Sequence, residues 1–225
     1  FKQSVKSFFH TLALNTEEEK MAVIVQELAG RPYGDLFYPG VSGVAQSFNY
    51  YPFARMQAED GVASAALGFG KWVVEGGDAV RFCPRHPDLQ PQAADPRDLL
   101  QATQARFYAL RLDPTPPAFT FGNGSNLALF DLDRAERDLT LHPVASVLSR
   151  EDECLVDDLG TPGRRLVTLA PILRHRGYPL GDVLDALLSI GKTAIGTEVE
   201  IEFALNADAR PGSQPEFYLL QIRPM

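Results

Sequence analysis

Glu216-Phe-Tyr-Leu-Leu-Gln-Ile-Arg-Pro224, read together with Val199-Glu-Ile-Glu-Phe-Ala-Leu205, decides the fold. In an extended chain, side chains alternate between the two faces. Glu200 and Glu202 therefore project from one face of the first run, and Gln221 and Arg223 from one face of the second. The intervening Asn206-Ala-Asp-Ala-Arg-Pro-Gly-Ser-Gln-Pro215 is polar and turn-rich, so the two runs are expected to pair as an antiparallel hairpin. That hairpin would place two carboxylates, an amide and a guanidinium on one surface. Hard oxygen ligands suit magnesium, and a planar fork of donors suits phosphate oxygens. The same spacing also fits an ordinary hairpin with a charged, solvated outer face, which is common in antiparallel sheets.

Working outward, Pro179-Leu-Gly-Asp-Val-Leu-Asp-Ala-Leu-Leu-Ser-Ile-Gly-Lys-Thr-Ala-Ile195 reads as a helix. Proline opens it, Gly196 lies just past its end, and Leu180, Val183, Leu184, Leu187, Leu188, Gly191, Ala194 and Ile195 form its apolar stripe. Within it, Ala186-Leu-Leu-Ser-Ile-Gly-Lys-Thr193 differs from a Walker phosphate loop only by Ala for the first Gly. A phosphate loop needs free backbone N–H groups in an open turn after a strand. Inside a helix those groups are committed to i−4 carbonyls, so this segment is read as packing helix.

Met21-Ala-Val-Ile-Val-Gln-Glu-Leu28 is a continuous Val- and Ile-rich run and reads as a buried strand. Further strands are expected at 41–48, 61–67, 78–83 and about 165–169, with two or three short ones between 113 and 150. Residues 2–13 carry the stripe Val5, Phe8, Phe9 and Leu12 of an amphipathic helix, and 15–20 read as a polar connector. After an irregular proline-rich link from Arg85 to Asp95, Asp95 and Pro96 open a helix expected to run to about Leu110.

Composition narrows the function classes. The 225 residues are 45% hydrophobic, enough for a core, and the net charge is −8. An acidic chain without clustered Lys and Arg is not built for nucleic acid. No apolar run approaches the roughly 18 residues of a membrane span, and no signal-like start is present, so a cytoplasmic protein is expected. Cys83 and Cys154 stand alone, and the four histidines show no metal-ligand spacing. The chain begins at Phe1 in mid-pattern and is read as a fragment of something larger.

Four blocks resemble, in order, the nucleotide-binding domain of phosphoenolpyruvate synthases and pyruvate phosphate dikinases, an ATP-grasp fold. They are Met21–Leu28, Val41-Ser-Gly-Val-Ala-Gln-Ser47, Ala66-Leu-Gly-Phe-Gly-Lys-Trp-Val-Val-Glu-Gly76 and the hairpin itself. The resemblance implies an α/β (α+β) lobe, a largely antiparallel sheet with flanking helices, with 85–150 as a divergent, turn-rich insertion. It implies ATP as substrate and Mg2+ as cofactor. Glu202 becomes a metal ligand, Gln221 the second metal or phosphate contact, Arg223 the ligand of the transferring phosphoryl group, and Glu200 a supporting acid near the metal. Gln26, Glu27 and Leu28 fall at the adenine hinge. A cation-bearing N-terminal lobe would precede Phe1, and a phosphohistidine domain and a pyruvate-binding barrel would follow Met225. The parent would phosphorylate its own histidine for transfer to pyruvate or a related acceptor, and the fragment alone would be inactive.

Two departures stand against the family pattern: Lys71 where an acid is common, and Gln46-Ser-Phe-Asn-Tyr-Tyr51 where relatives carry Thr and an Asp/Asn-Pro pair. They keep open a second reading, a non-catalytic nucleotide-sensing or scaffold module on the same fold.

Overall fold

The computed structural model describes residues 22–89, 100, 102–112, 126–149 and 154–225. The expected helix at 2–13, the connector at 15–20 and the start of the helix at 95 lie outside them. The chain is a mixed α+β fold whose strand pairings are all antiparallel.

The principal sheet has five strands. They are β3 (Val41–Gln46), β4 (Val62–Ala66), β5 (Val80–Phe82), β11 (Val199–Asn206) and β12 (Glu216–Pro224), in the spatial order β12-β11-β3-β4-β5. The hairpin is β11–β12, in the register Glu202 opposite Gln221 and Glu200 opposite Arg223. Alternation sorts this sheet into two faces. Val199, Ile201, Phe203 and Leu205 of β11 share one face with Val41 and Ala45 of β3 and Ala63 and Ala65 of β4, and all are buried. Gly43 lies opposite Phe203, where a Cβ would fall 2.6 Å from the phenyl ring and 2.5 Å from the Ser64 carbonyl oxygen. Only glycine lets that ring lie flat across the strand.

Helix α4 (Leu180–Ile195) covers this face. Leu180, Leu184 and Leu188 are buried, each contributing about 2 kcal/mol by apolar burial. Gly191 brings the helix against Val199 and Ile222. Gly196 ends it in a left-handed conformation at φ 82°, its N–H donating to the Lys192 carbonyl. The Walker-like segment is therefore helical throughout. Ala194 and Ile195, expected in the buried stripe, are exposed, because the sheet ends before the last helical turn.

A second sheet orders β1 (Arg31–Tyr33), β2 (Leu36–Tyr38), β6 (Arg106–Arg111) and β7 (Leu127–Asp131). Here the sequence reading is corrected: the helix expected to reach Leu110 is a strand from Arg106 onward. Phe107 and Ala109 alternate inward, fully buried, and β6 pairs with β2 and β7 on its two sides. Strands β6 and β7 thus extend the sheet begun by β1 and β2. A third sheet orders β10 (Gly163–Val167), β8 (Ala145–Ser149) and β9 (Leu155–Val156), with α3 (Ala170–Leu173) against β8, while α2 (Leu132–Arg137) follows β7 and lies against it. Cys83 is buried, Cys154 exposed, and the two are unbonded. No described helix is long and apolar enough to cross a membrane.

Candidate functional site

On the face of the principal sheet away from α4, the side chains are small or polar. Ser42, Val44 and Gln46 of β3 lie beside Ala204, Glu202 and Glu200 of β11, with Gln221 and Arg223 of β12 beyond them. A cavity of about 820 Å³ opens here, within the size range of small-molecule sites. Its floor is Ser42, Val44, Glu202 and Ala204, with Leu220 and Gln221 at one side. Ile24 and Gln26–Ala29 form a second wall, and Phe69, Gly70, Lys71 and Val74 a third. Leu110 and Leu127 enter from the second sheet.

The hairpin expectation holds in its geometry: Glu200, Glu202, Gln221 and Arg223 share one face. They are not equivalent. The Arg223 Nε donates to Glu200 Oε1 at 2.8 Å, its Nη2 reaches the same oxygen, and the Gln46 amide donates to Glu200 Oε2 at 2.7 Å. Both oxygens of Glu200 are thus engaged. The hydrogen bonds and charge of Glu200 raise the Arg223 pKa further above its ordinary value. Glu202, by contrast, makes no hydrogen bond or ion pair among the described residues and is half-buried at the cavity floor. Gln221 is likewise unbonded and lines the same cavity. Glu200 and Arg223 lie outside the lining.

The pairing of β11 with β12 slips between Glu202 and Phe203, so that Leu220 is an extra residue on β12. Such a bulge twists the strand locally and frees a backbone group. The Leu220 carbonyl accepts a hydrogen bond from the Gln26 side chain at 3.3 Å. This contact links the segment at 22–29 to the hairpin and sets Gln26, Glu27 and Leu28 on the cavity wall. The segment itself corrects the sequence reading. Residues 22–30 are not a strand, and Ile24 and Val25 are 88% and 92% exposed. The run of apolar residues finds no partner strand among the described residues, and without one an extended segment has no ladder.

Several lining residues escaped the sequence reading. Ser42 and Val44 were legible as one face of β3. Leu110 was not, because Arg106–Arg111 also fits a helical interval, and Leu127 reaches the cavity only through the pairing of β7 with β6. The loop at Gly68–Gly70 is pinned from two sides: the Ser42 hydroxyl donates to the Gly68 carbonyl at 2.5 Å, and the Phe69 N–H to the Tyr108 carbonyl at 3.1 Å. Gly68 has φ 81° and a Cβ there would lie 2.7 Å from the Tyr108 oxygen, so the turn requires glycine. The turn launches α1 (Lys71–Val74), which carries Lys71 to the cavity.

No described group of three or more His, Cys, Asp or Glu side chains has metal-binding geometry. Glu200, expected as a supporting acid near a metal, is held by Arg223 and Gln46. Glu202 with Gln221 remains a two-oxygen donor set. Magnesium bound with a nucleotide takes one or two protein oxygens, the phosphates and water supplying the rest, so that set fits. No protein-family model matches this chain, and no curated protein matches it. The site is read from its own residues.

Proposed function

We propose that this chain is the ATP- and magnesium-binding half of a phosphotransferase resembling phosphoenolpyruvate synthase and pyruvate phosphate dikinase, with an ATP-grasp type of site. The observation that carries the reading is one cavity receiving groups from two distant parts of the sequence. Gln26, Glu27 and Leu28 come from one, and Glu202 and Gln221 from the other. These are the residues that the resemblance assigns to the adenine hinge and to the metal.

In this reading the backbone of 26–28 meets the adenine edge, and its free donors and acceptors are available because the segment is in no ladder. The apolar walls, Ile24, Leu28, Val44 and Leu127 among them, take the ring by burial. Glu202 and Gln221 hold the magnesium, whose charge offsets that of the phosphates. Arg223 binds the transferring phosphoryl group after turning away from Glu200; its guanidinium is 58% exposed and that pairing is soft. Phosphoryl transfer needs chiefly positioning and charge stabilisation, and these residues supply both. The acceptor in the parent protein is a histidine of another domain, and the onward acceptor is pyruvate or a related compound.

The test is ATP-dependent autophosphorylation of the parent. Glu202→Ala and Arg223→Ala should each abolish label transfer while the protein stays folded; wild-type rates in both variants would end the proposal. The closed Arg223–Glu200 pair favours one alternative, a nucleotide sensor that binds without transferring. That alternative gains if Mg·ATP binds, Glu202→Ala abolishes the binding, and no label is ever transferred.

A further inference from the structure

Lys71 is the one cation lining the cavity among the described residues, against two acids, Glu27 and Glu202. Building on the nucleotide reading above, we infer that Lys71 is a second residue of this chain, besides Arg223, that grips the polyphosphate. It does so from the Ser42 end of the sheet face, while Glu202 and Gln221 hold the metal further along.

Three observations support the assignment. First, its place is fixed. The turn before it is anchored to β3 through Ser42 and to β6 through Tyr108, and Gly70 lies against Ser42, where a Cβ would be 3.6 Å from that of the serine. The backbone of Lys71 is thereby held at the cavity edge, while its flexible four-carbon stem keeps the ammonium mobile.

Second, the ammonium is parked and not consumed. Its Nζ lies 3.6 Å from Glu75 Oε1 and 4.7 Å from the centroid of the Tyr108 ring. Tyr108 in turn donates its hydroxyl to Glu75 Oε2 at 2.9 Å. An exposed i,i+4 pair is among the weakest ion pairs, and an exposed cation–ring contact adds little to it. A polyanion can draw the ammonium off at small cost. Glu75 and Tyr108 then remain bonded to each other, so no partner is stranded.

Third, charge demands it. With Glu27 and Glu202 facing the same space, a ligand of several negative charges is repelled unless cations are supplied. Magnesium at Glu202 supplies one, and Lys71 the next.

The experiment titrates the folded chain with three probes, by calorimetry or by NMR: ATP with magnesium, adenosine, and inorganic tripolyphosphate with magnesium. The variants are Lys71→Met, which keeps the stem, and Lys71→Arg, which keeps the charge. Lys71→Met should weaken ATP and tripolyphosphate about fivefold, the worth of one close charge pair at high dielectric. Adenosine affinity should stay the same, and Lys71→Arg should keep most of the wild-type affinity for all three. Equal ATP affinity in the wild type and Lys71→Met overturns the assignment and leaves the nucleotide reading standing. Equal loss of adenosine binding in Lys71→Met also overturns it, because the side chain would then be acting on the ring or the wall. If the wild type takes up neither ATP nor adenosine, the nucleotide reading itself has failed and the role of Lys71 with it.

Discussion

The loop end of the β11–β12 hairpin and the stretch just past its bulge are built on opposite principles. At the loop end every charge is matched. Asp208, its side chain inaccessible to solvent, receives Arg31 Nη1 at 3.1 Å, the Tyr33 hydroxyl at 3.1 Å, and the Arg210 backbone N–H and guanidinium. Arg31 also reaches Glu216, Ser213 and the Gln214 carbonyl, and Arg210 stacks over Tyr33 at 4.7 Å. Burial works against the ionised Asp208, but the hydrogen bonds from Arg210 and Ser213 and the charge of Arg210 outweigh it. Its carboxyl is held well below the usual range. Past the bulge, Glu202 and Gln221 line the cavity with no side-chain hydrogen bond or ion pair among the described residues, and only the nearby charge of Arg223 bears on Glu202. A saturated network rigidifies, whereas an unmatched half-buried carboxylate is a stability cost that a ligand can repay. The difference separates a clasp from a site on one pair of strands.

The clasp should dominate stability. Asp208→Ala leaves Arg31 and Arg210 partly buried around a missing carboxylate, and removing one partner of a buried pair is costly. A loss of about 3 kcal/mol in denaturant unfolding is expected. A loss under about 1 kcal/mol would break the contrast, since a surface pair contributes no more than that.

Acid should expose the same residue. The folded-state pKa of Asp208 is depressed, so its contribution is fully present above the unfolded carboxyl value. It is lost progressively as the pH falls below about 4 toward the folded value. Unfolding midpoints measured from pH 6 down to pH 2 should decline in the wild type, and the decline should flatten in Asp208→Asn. Parallel declines would assign the acid sensitivity to other groups.

The stretch past the bulge should give the reverse profile. Glu202→Ala should change stability by no more than about 0.5 kcal/mol, as expected for a side chain with no hydrogen bond or ion pair among the described residues. The same variant should lose Mg·ATP affinity. Arg223→Gln should lower the unfolding midpoint only slightly, because the arginine of its pair with Glu200 is largely solvated. A large destabilisation by either variant would make that stretch structural too.

Affinity itself should be modest. Glu27 and Glu202 set against Lys71 leave the described cavity lining acidic, and charge pairs in an open cavity are screened. A dissociation constant on the order of 1 mM, near −4 kcal/mol, is expected for Mg·ATP on this chain. Micromolar binding would mean a fuller phosphate grip than these residues provide.

What the sequence made legible follows from locality. Alternation within strands of 8 and 9 residues sorts Glu200 with Glu202 and Gln221 with Arg223, and helical spacing with Gly196 bounds the 16-residue α4. The segment at 22–28 misled because a Val- and Ile-rich run states only that a strand would suit; pairing is decided elsewhere in the chain. Arg106–Arg111 misled because Phe107 and Leu110 also fit a helical interval, while the partners that make it a strand lie at Leu36–Phe37 and Leu127–Asp131. The clasp was invisible: Arg31 and Asp208 are 177 residues apart, and the loop between the strands read only as turns. Lys71 stands out in the sequence as a departure from the family pattern, and the fold sets it at the cavity edge.

The most direct test is a titration of the isotopically labelled chain with Mg·ATP, following backbone amide shifts. The account predicts movement at 26–29, 42–44, 69–71, 202–204 and 220–221, with the clasp residues 207–214 unmoved, and loss of that movement in Glu202→Ala. Shifts concentrated at the clasp, or none at 10 mM nucleotide, about ten times the expected dissociation constant, would contradict it.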